Sequence, residues 1–154
     1  MKKQEKFIFI LHNIRSRFNV GSVFRTADGC GVDKIYLGGI TPAPPHSRIS
    51  KVALGAEEYV AWEKQFQTWM LLDKLKKQGY QIIAVEQSKK SVPYFKFKPK
   101  WPAAFVFGSE TKGLSPNILK RCNKFIEIPM HGQKESLNVS VSAGIVGFSM
   151  IDKM

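Results

Sequence analysis

The sequence predicts a single α/β domain with a mostly parallel sheet flanked by helices. Five short apolar runs have the length of buried strands, and segments with helical spacing of apolar residues lie between them. Strands that alternate with helices in this way are typical of parallel sheets. With 154 residues, 44% of them hydrophobic, the chain has the size of one domain around one core.

The first predicted strand is a continuous apolar run, as expected for a strand buried on both faces, and four further strands are predicted after it. The five strands span residues 7–11, 34–37, 81–85, 103–107 and 125–128. The prolines of segment 41–46 exclude regular structure there, because proline lacks a backbone donor. Segment 89–102 is predicted as a basic, aromatic connection.

Helices are predicted between the strands. They span residues 20–27, 47–54, 69–75, 116–122 and 139–154. In the first helix the apolar residues recur at helical spacing, with Asn19 placed as N-cap and Gly29 and Gly31 placed to end it. In the fourth, Ser115 is the predicted cap and Pro116 the first helical residue.

The charge of the chain points to an anionic partner. Lysine and arginine number 24 against 12 acidic residues, giving a net charge of +12. Such a field attracts polyanions, so RNA or DNA is the first candidate and an anionic membrane surface the second. A basic protein without such a partner remains the alternative.

The cysteines indicate a reducing compartment. Cys30 and Cys122 lie far apart and outside any CxxC pattern, so neither a disulfide framework nor a zinc site is expected. The three histidines lack metal-ligand spacing, and no metal is predicted. The terminal residues 1–6 are basic, but the apolar run 7–11 is too short for a signal peptide, and no stretch reaches the ~20 apolar residues of a membrane span. A cytoplasmic protein is therefore expected.

Three loops after predicted strands hold most of the unusual residues, and ligands of parallel sheets collect at such loops. They span residues 13–19, 108–113 and 129–138. In the second loop, Gly108 and Gly113 have the separation of a phosphate-binding P-loop, but Leu114 stands where lysine is required, so a nucleotide triphosphatase is excluded. A plain strand-to-helix turn is the alternative.

The third loop could hold a flat heterocycle. Pro129 ends the strand, and the loop can offer backbone groups while Met130 and Leu137 cover the faces of the ring. The alternative is that Ser136 and Asn138 only cap the last helix.

The first loop leads into a helix that carries an arginine. Asn19 and Gly21 open the helix, and Arg25 follows one turn after the glycine. An arginine on an otherwise apolar face is costly to bury without an anionic partner. Arg25 could instead be a surface residue, or could pair with Glu110 or Asp28.

Taken together, the three segments resemble the signature of the SpoU (TrmH-like) RNA 2'-O-ribose methyltransferases of the SPOUT superfamily. They read Asn19-x-Gly21-x-x-x-Arg25-Thr26, Phe107-Gly108-Ser109-Glu110-x-x-Gly113 and Ile128-Pro129-Met130-x-Gly132-x-x-x-Ser136-Leu137-Asn138-Val139-Ser140. The resemblance runs in order from about residue 7 to the C-terminus.

The resemblance implies an enzyme that uses S-adenosylmethionine to methylate a ribose 2'-hydroxyl in tRNA or rRNA, without a metal. It implies a homodimer with a deep C-terminal trefoil knot, which the residue pattern by itself does not indicate. The residues that match the family's cofactor pocket are Phe107, Gly108, Glu110, Gly113, Ile128, Pro129, Met130, Ser136, Leu137 and Asn138.

The same resemblance assigns catalytic positions. Arg25 matches the family's catalytic arginine, which is proposed to activate the hydroxyl. Because an arginine side chain is a poor base, Arg25 could instead stabilise the developing alkoxide or hold a phosphate. Asn19, Glu110, Ser136 and Asn138 match positions that orient Arg25, the substrate or the cofactor.

Many members of the family carry a further RNA-binding domain, whereas here only six residues precede the first strand. Residues of the domain itself are therefore expected to bind RNA, on a surface that extends across a dimer. The candidate residues are Arg15, Arg17, Arg48, Lys51, Lys96 and Lys98. Aromatic residues that interleave with the lysines of segment 89–100 could stack on bases, or could pack on the core.

Two other functions remain open at this point. A non-catalytic RNA-binding or assembly protein could keep the same fold, although the intact motifs speak against it. A SPOUT enzyme that methylates a base is the other alternative, and Arg25 favours ribose over base.

Overall fold

The computed structural model describes residues 4–154, so the first three residues of the predicted basic N-terminus lie outside it. Seven strands form one sheet. They are β1 (Phe7–His12), β2 (Lys34–Gly38), β3 (Ala61–Gln65), β4 (Gln81–Val85), β5 (Val92–Pro93), β6 (Ala103–Phe107) and β7 (Lys124–Glu127). Among residues 4–154, no helix is long and apolar enough to cross a bilayer.

The strands lie in the order β3-β2-β1-β6-β4-β7-β5. Every neighbouring pair is parallel, which confirms the predicted parallel sheet. Because all strands run in one direction, their carboxyl ends meet at a single edge of the sheet. The loops after β1, β4, β6 and β7 therefore lie side by side at that edge.

Helices cover both faces of the sheet. They are α1 (Arg17–Cys30), α2 (Ser47–Ala53), α3 (Thr68–Lys77), α4 (Pro116–Leu119) and α5 (Val139–Met150). Along β1 the side chains alternate between two apolar cores, with Phe7 and Phe9 facing α1 and α5, and Ile8 and Ile10 facing α3 and α4. Burial on both faces explains why this strand is a continuous apolar run.

Several predicted helix ends are wrong by a few residues. Ser16, not Asn19, is the N-cap of α1, and its hydroxyl accepts from the backbone N–H of Asn19. Gly31 ends this helix at φ +77°, as predicted, whereas Gly29 lies inside it. Pro116 begins α4 as predicted, but Ser115 makes no side-chain cap bond.

Two strands were not predicted. The β3 strand lies at an edge of the sheet, and all of its side chains are at least partly exposed, so its sequence Ala-Trp-Glu-Lys-Gln has no apolar run. The β5 strand has only two residues, and Pro93 is one of them. Proline is tolerated there because β5 is the other edge strand.

Candidate functional site

A cavity of about 520 Å³ opens at the carboxyl edge of the sheet. It lies among the loops that follow β4, β6 and β7. Its lining residues are Val85, Glu86, Gln87, Phe107, Gly108, Ser109, Glu110, Thr111, Lys112, Gly113, Glu127, Ile128, Met130, Glu135, Ser136, Leu137, Val139 and Ser142. The volume lies within the range of pockets that hold small molecules and cofactors.

The cavity brings together two of the three segments singled out in the sequence. All of the predicted cofactor residues line it except Pro129 and Asn138. Phe107 and Ile128 supply apolar surface, while the glycines expose backbone groups. This combination can accept a flat heterocycle and bind its polar edge.

The loop after β6 depends on both of its glycines. A Cβ added at Gly108 would lie 2.7 Å from the carbonyl carbon of Gly113, so only glycine fits there. Gly113 has φ +63°, and its N–H donates to the carbonyl of Ser109 at 2.8 Å. The loop is thus a tight turn whose backbone forms one wall of the cavity.

Glu86 is a lining residue that the motifs did not indicate. Its two carboxylate oxygens accept from the backbone N–H of Leu114 at 3.1 and 3.2 Å. A Cβ at Gly113 would lie 2.1 Å from one of these oxygens. Burial raises the pKa of Glu86, and the bond from Leu114 opposes this rise. The available signal was its position directly after β4, at the edge where ligands collect.

Three predicted catalytic residues form one network beside the cavity. The Asn138 amide donates to the Asn19 side-chain oxygen at 3.1 Å, and the Asn19 amide donates to Glu110 at 3.5 Å. The same Glu110 oxygen accepts from the backbone N–H of Val139 at 3.3 Å. The network joins the start of α1, the loop after β6 and the start of α5.

The other predicted catalytic residues lie apart from this network. Ser136 is exposed and lines the cavity, and it does not cap α5, because Asn138 performs that role by accepting from the N–H of Ser140. Arg25 is exposed on α1 and is not among the lining residues. It lies six positions after Asn19, about 9 Å along the helix axis.

Arg25 has no acidic partner among residues 4–154, so it pairs with neither Glu110 nor Asp28. It shares one exposed face of α1 with Phe18, because a spacing of seven residues returns to the same side of a helix. Arg25 therefore lies outside the lining of the single-chain cavity, on a face of α1 that also carries the exposed Phe18.

The six candidate RNA-binding residues are exposed. Arg15 and Arg17 lie at the loop after β1, and Arg48 and Lys51 lie on α2. Lys96 and Lys98 lie between β5 and β6. Of the aromatic residues there, Phe95 is 57% exposed, whereas Tyr94, Phe97 and Trp101 pack against the core.

Two histidines have structural partners. His12, at the end of β1, contacts Thr68 Oγ1 through Nδ1 at 2.7 Å and the Asn13 amide through Nε2 at 3.3 Å. Burial lowers the pKa of His12. The Nδ1 atom of His46 accepts from the N–H of Arg48 and caps α2.

Comparison with known proteins places this geometry in a family. Residues 6–148 match the model of the SpoU rRNA Methylase family. The chain is 34% identical to a tRNA (guanosine(18)-2'-O)-methyltransferase of Aquifex aeolicus over 94% of its own length and 68% of the relative. It spans 55% to 66% of seven further curated relatives.

Solved structures agree with this match. The A. aeolicus TrmH/SpoU tRNA modifying enzyme superimposes with a TM-score of 0.88 at 31% identity, over 99% of this chain and 77% of that one. An AdoMet-bound rRNA methyltransferase of Sinorhizobium meliloti superimposes with a TM-score of 0.87 at 26% identity, over 95% of this chain and 56% of that one.

Proposed function

Since the chain belongs to the SpoU rRNA methylase family, we propose that it transfers a methyl group from S-adenosylmethionine to a ribose 2'-hydroxyl of tRNA or rRNA. The observation that carries the proposal is the convergence of two family segments on one cavity, with the Asn19–Glu110–Asn138 network joining the first segment, which contains Asn19, to its rim. The similar rRNA methyltransferase of S. meliloti has AdoMet bound.

The cavity fits this cofactor by its chemistry. Phe107, Ile128 and Leu137 offer apolar surface for the adenine ring, and the turn from Gly108 to Gly113 offers backbone donors and acceptors. When bound, the cofactor supplies a methyl group already activated on a cationic sulfur. The protein then has to hold the ribose oxygen in line with that methyl group and accommodate the loss of its proton.

We assign Arg25 to the substrate. Its guanidinium is a cationic donor of several hydrogen bonds, so it stabilises the developing ribose oxyanion or holds the adjacent phosphate. Proton removal by Arg25 itself is the second assignment. The network of Asn19, Glu110 and Asn138 fixes the start of α1, the helix that carries Arg25.

A homodimer would complete the site. The α5 helix contains no charged residue, and Val141 and Phe148 remain 48% and 51% exposed. Phe148 lies beside Gly29 of α1, where an added Cβ would meet its ring at 3.3 Å. Large apolar side chains exposed together on an uncharged helix are typical of a surface that another protein covers. A second copy on this face would also cover Phe18 and place Arg25 at the interface.

The topology supports a knot near the C-terminus. The β7 strand lies between β4 and β5, and segment 86–91 connects those two strands past its carboxyl end. The chain approaches β7 from α4, on one face of the sheet, and continues to α5 on the other face. Passage of the segment after β7 beneath the 86–91 connection would close the knot.

Two measurements test the proposed activity. Calorimetry with S-adenosylmethionine should show saturable binding, and labelled methyl transfer to separated tRNA and rRNA fractions should identify a substrate. Nucleoside analysis of the product should find 2'-O-methylribose. Binding without transfer to any RNA would favour a non-catalytic RNA-binding protein, and a methylated base would favour base methylation.

A further inference from the structure

The cavity has the opposite charge to the chain as a whole. Lysine and arginine outnumber acidic residues by 24 to 12 in the sequence. At the cavity, four carboxylates line the wall against one ammonium group, that of Lys112. The carboxylates are Glu86, Glu110, Glu127 and Glu135. One third of the acidic residues of a basic chain thus surround a single cavity.

These carboxylates keep their charge free for a ligand. None of the four forms an ion pair with another group in residues 4–154. Glu110 is engaged by Asn19 and the N–H of Val139, and Glu135 is exposed. Glu86 and Glu127 are partly buried, so solvent screens them less.

Glu86 is the best fixed of the four. Both of its oxygens accept from the backbone N–H of Leu114, and the absent side chain of Gly113 leaves room for them. Burial of this carboxylate works against its charged form. A partly buried carboxylate that no cation of residues 4–154 neutralises is what a cationic ligand would find complementary.

We propose that Glu86, assisted by Glu127, makes the cavity selective for the cationic cofactor over its neutral product. The inference rests on the proposed function. Methyl transfer moves CH₃ from the sulfonium to the ribose oxygen, and the C–S bonding pair stays on sulfur. The hydroxyl proton is released, so the ligand falls from a net charge of +1 to zero. A negatively charged cavity binds the cationic cofactor more tightly than the neutral product, which therefore dissociates more readily.

The test compares three ligands of known charge by calorimetry. S-adenosylmethionine and sinefungin each carry one net positive charge, whereas S-adenosylhomocysteine is neutral. The variants are Glu86→Gln and Glu127→Gln, and the glutamine at position 86 retains an oxygen that can accept from Leu114. The matched control is Glu58→Gln, because Glu58 is exposed and does not line the cavity.

Glu86→Gln should weaken binding of both cationic ligands about tenfold, a change of about 1.4 kcal/mol, and binding of the neutral product less than about twofold. Glu127→Gln should change affinity in the same sense by a smaller factor, and Glu58→Gln should leave all three affinities unchanged. Thermal melting of each variant verifies folding.

The outcomes separate the inference from the function on which it rests. If both cavity variants lose the same affinity for all three ligands, or if neither variant loses affinity for any of them, the proposed charge selectivity is wrong. The cavity would still be the cofactor site. If the wild-type protein binds none of the three, the proposed function is wrong and the inference falls with it.

Discussion

The carboxyl edge of the sheet has two parts with opposite charge. Around the cavity, four carboxylates face one lysine, and backbone bonds hold the walls in place. Beside the loop after β1, the side chains of Arg15, Arg17, Arg48 and Lys51 are exposed, and none of them forms an ion pair within residues 4–154.

The difference is consistent with the two proposed ligands, which have opposite charge. The net charge of +12 reflects basic residues outside the cavity, and it conceals a cavity lined mainly by carboxylates. The hydrogen bonds of the Asn19–Glu110–Asn138 network connect the start of α1, next to the basic residues, with the loops that line the cavity. Variants on each side should therefore affect different ligands.

The largest expected effect is at Arg25. Arg25→Ala should lower the rate of methyl transfer at least about 100-fold, because it removes the charge assigned to the ribose oxyanion. Cofactor affinity should change less than about twofold, since Arg25 does not line the cavity. Single-turnover transfer and calorimetry measure the two quantities. Arg25→Lys, which keeps a charge without the planar guanidinium, is the comparison variant, and wild-type turnover by Arg25→Ala would remove Arg25 from the mechanism.

The next effect concerns the exposed apolar face of α1 and α5. Phe148→Asp should weaken the proposed dimer by about 30-fold or more, because it puts an unpaired charge into a desolvated contact. Sedimentation velocity over a range of concentrations measures this change. Phe66→Asp is the matched control, since Phe66 is 79% exposed and follows edge strand β3. Equal sedimentation of Phe148→Asp and wild type as dimers would place the interface elsewhere.

The sequence predicted the cavity better than it predicted the charge inside it. Gly108 and Gly113 could be recognised because close backbone approaches leave glycines at fixed spacing. Glu86 was missed, because its position directly after β4 is a weak signal and its role depends on β4 lying beside β6. The sequence left the exposure of Arg25 open, since helical spacing indicates a face but not what covers it.

The strands also differ in how well the sequence predicted them. The bounds of β6, which is buried along its whole length, and of β4, which is buried at its three central residues, were predicted exactly, because burial on both faces leaves an apolar run. Edge strand β3 is exposed enough to contain Glu63 and Lys64, so local pattern carries no comparable signal. Sequence reasoning succeeded where burial determines the residue type.

On the basic side, Arg15→Ala and Arg17→Ala should each weaken RNA binding by about three- to tenfold at low salt. Each should also reduce the slope of log affinity against log salt by about one, because one phosphate contact is lost. Fluorescence anisotropy with labelled tRNA across a salt series measures both effects. Arg121→Ala is the control, since Arg121 is paired with Asp73. An unchanged salt slope would move the RNA path away from the loop after β1.

The smallest expected effect is on the stability of the ligand-free protein, which the buried carboxylate of Glu86 should lower. Burial raises the folded-state pKa of Glu86, so the folded protein binds this proton more tightly than the unfolded chain does. Its contribution to stability is therefore unfavourable above the raised pKa and disappears below the ordinary value of about 4.3. Glu86→Gln should raise the melting temperature at pH 7 by about 1–3 °C, with no gain near pH 4.

Differential scanning calorimetry at several pH values, with Glu58→Gln as control, measures this gain. A lower melting temperature for Glu86→Gln at pH 7 would mean that the bond from Leu114 to the charged carboxylate outweighs its burial. When S-adenosylmethionine is added, the wild-type protein should have the higher melting temperature. Its tighter binding of the ligand then stabilises it by more than the buried charge destabilises it. A carboxylate that weakens the free protein and strengthens only the complex with a cationic ligand is explained by binding, not by folding.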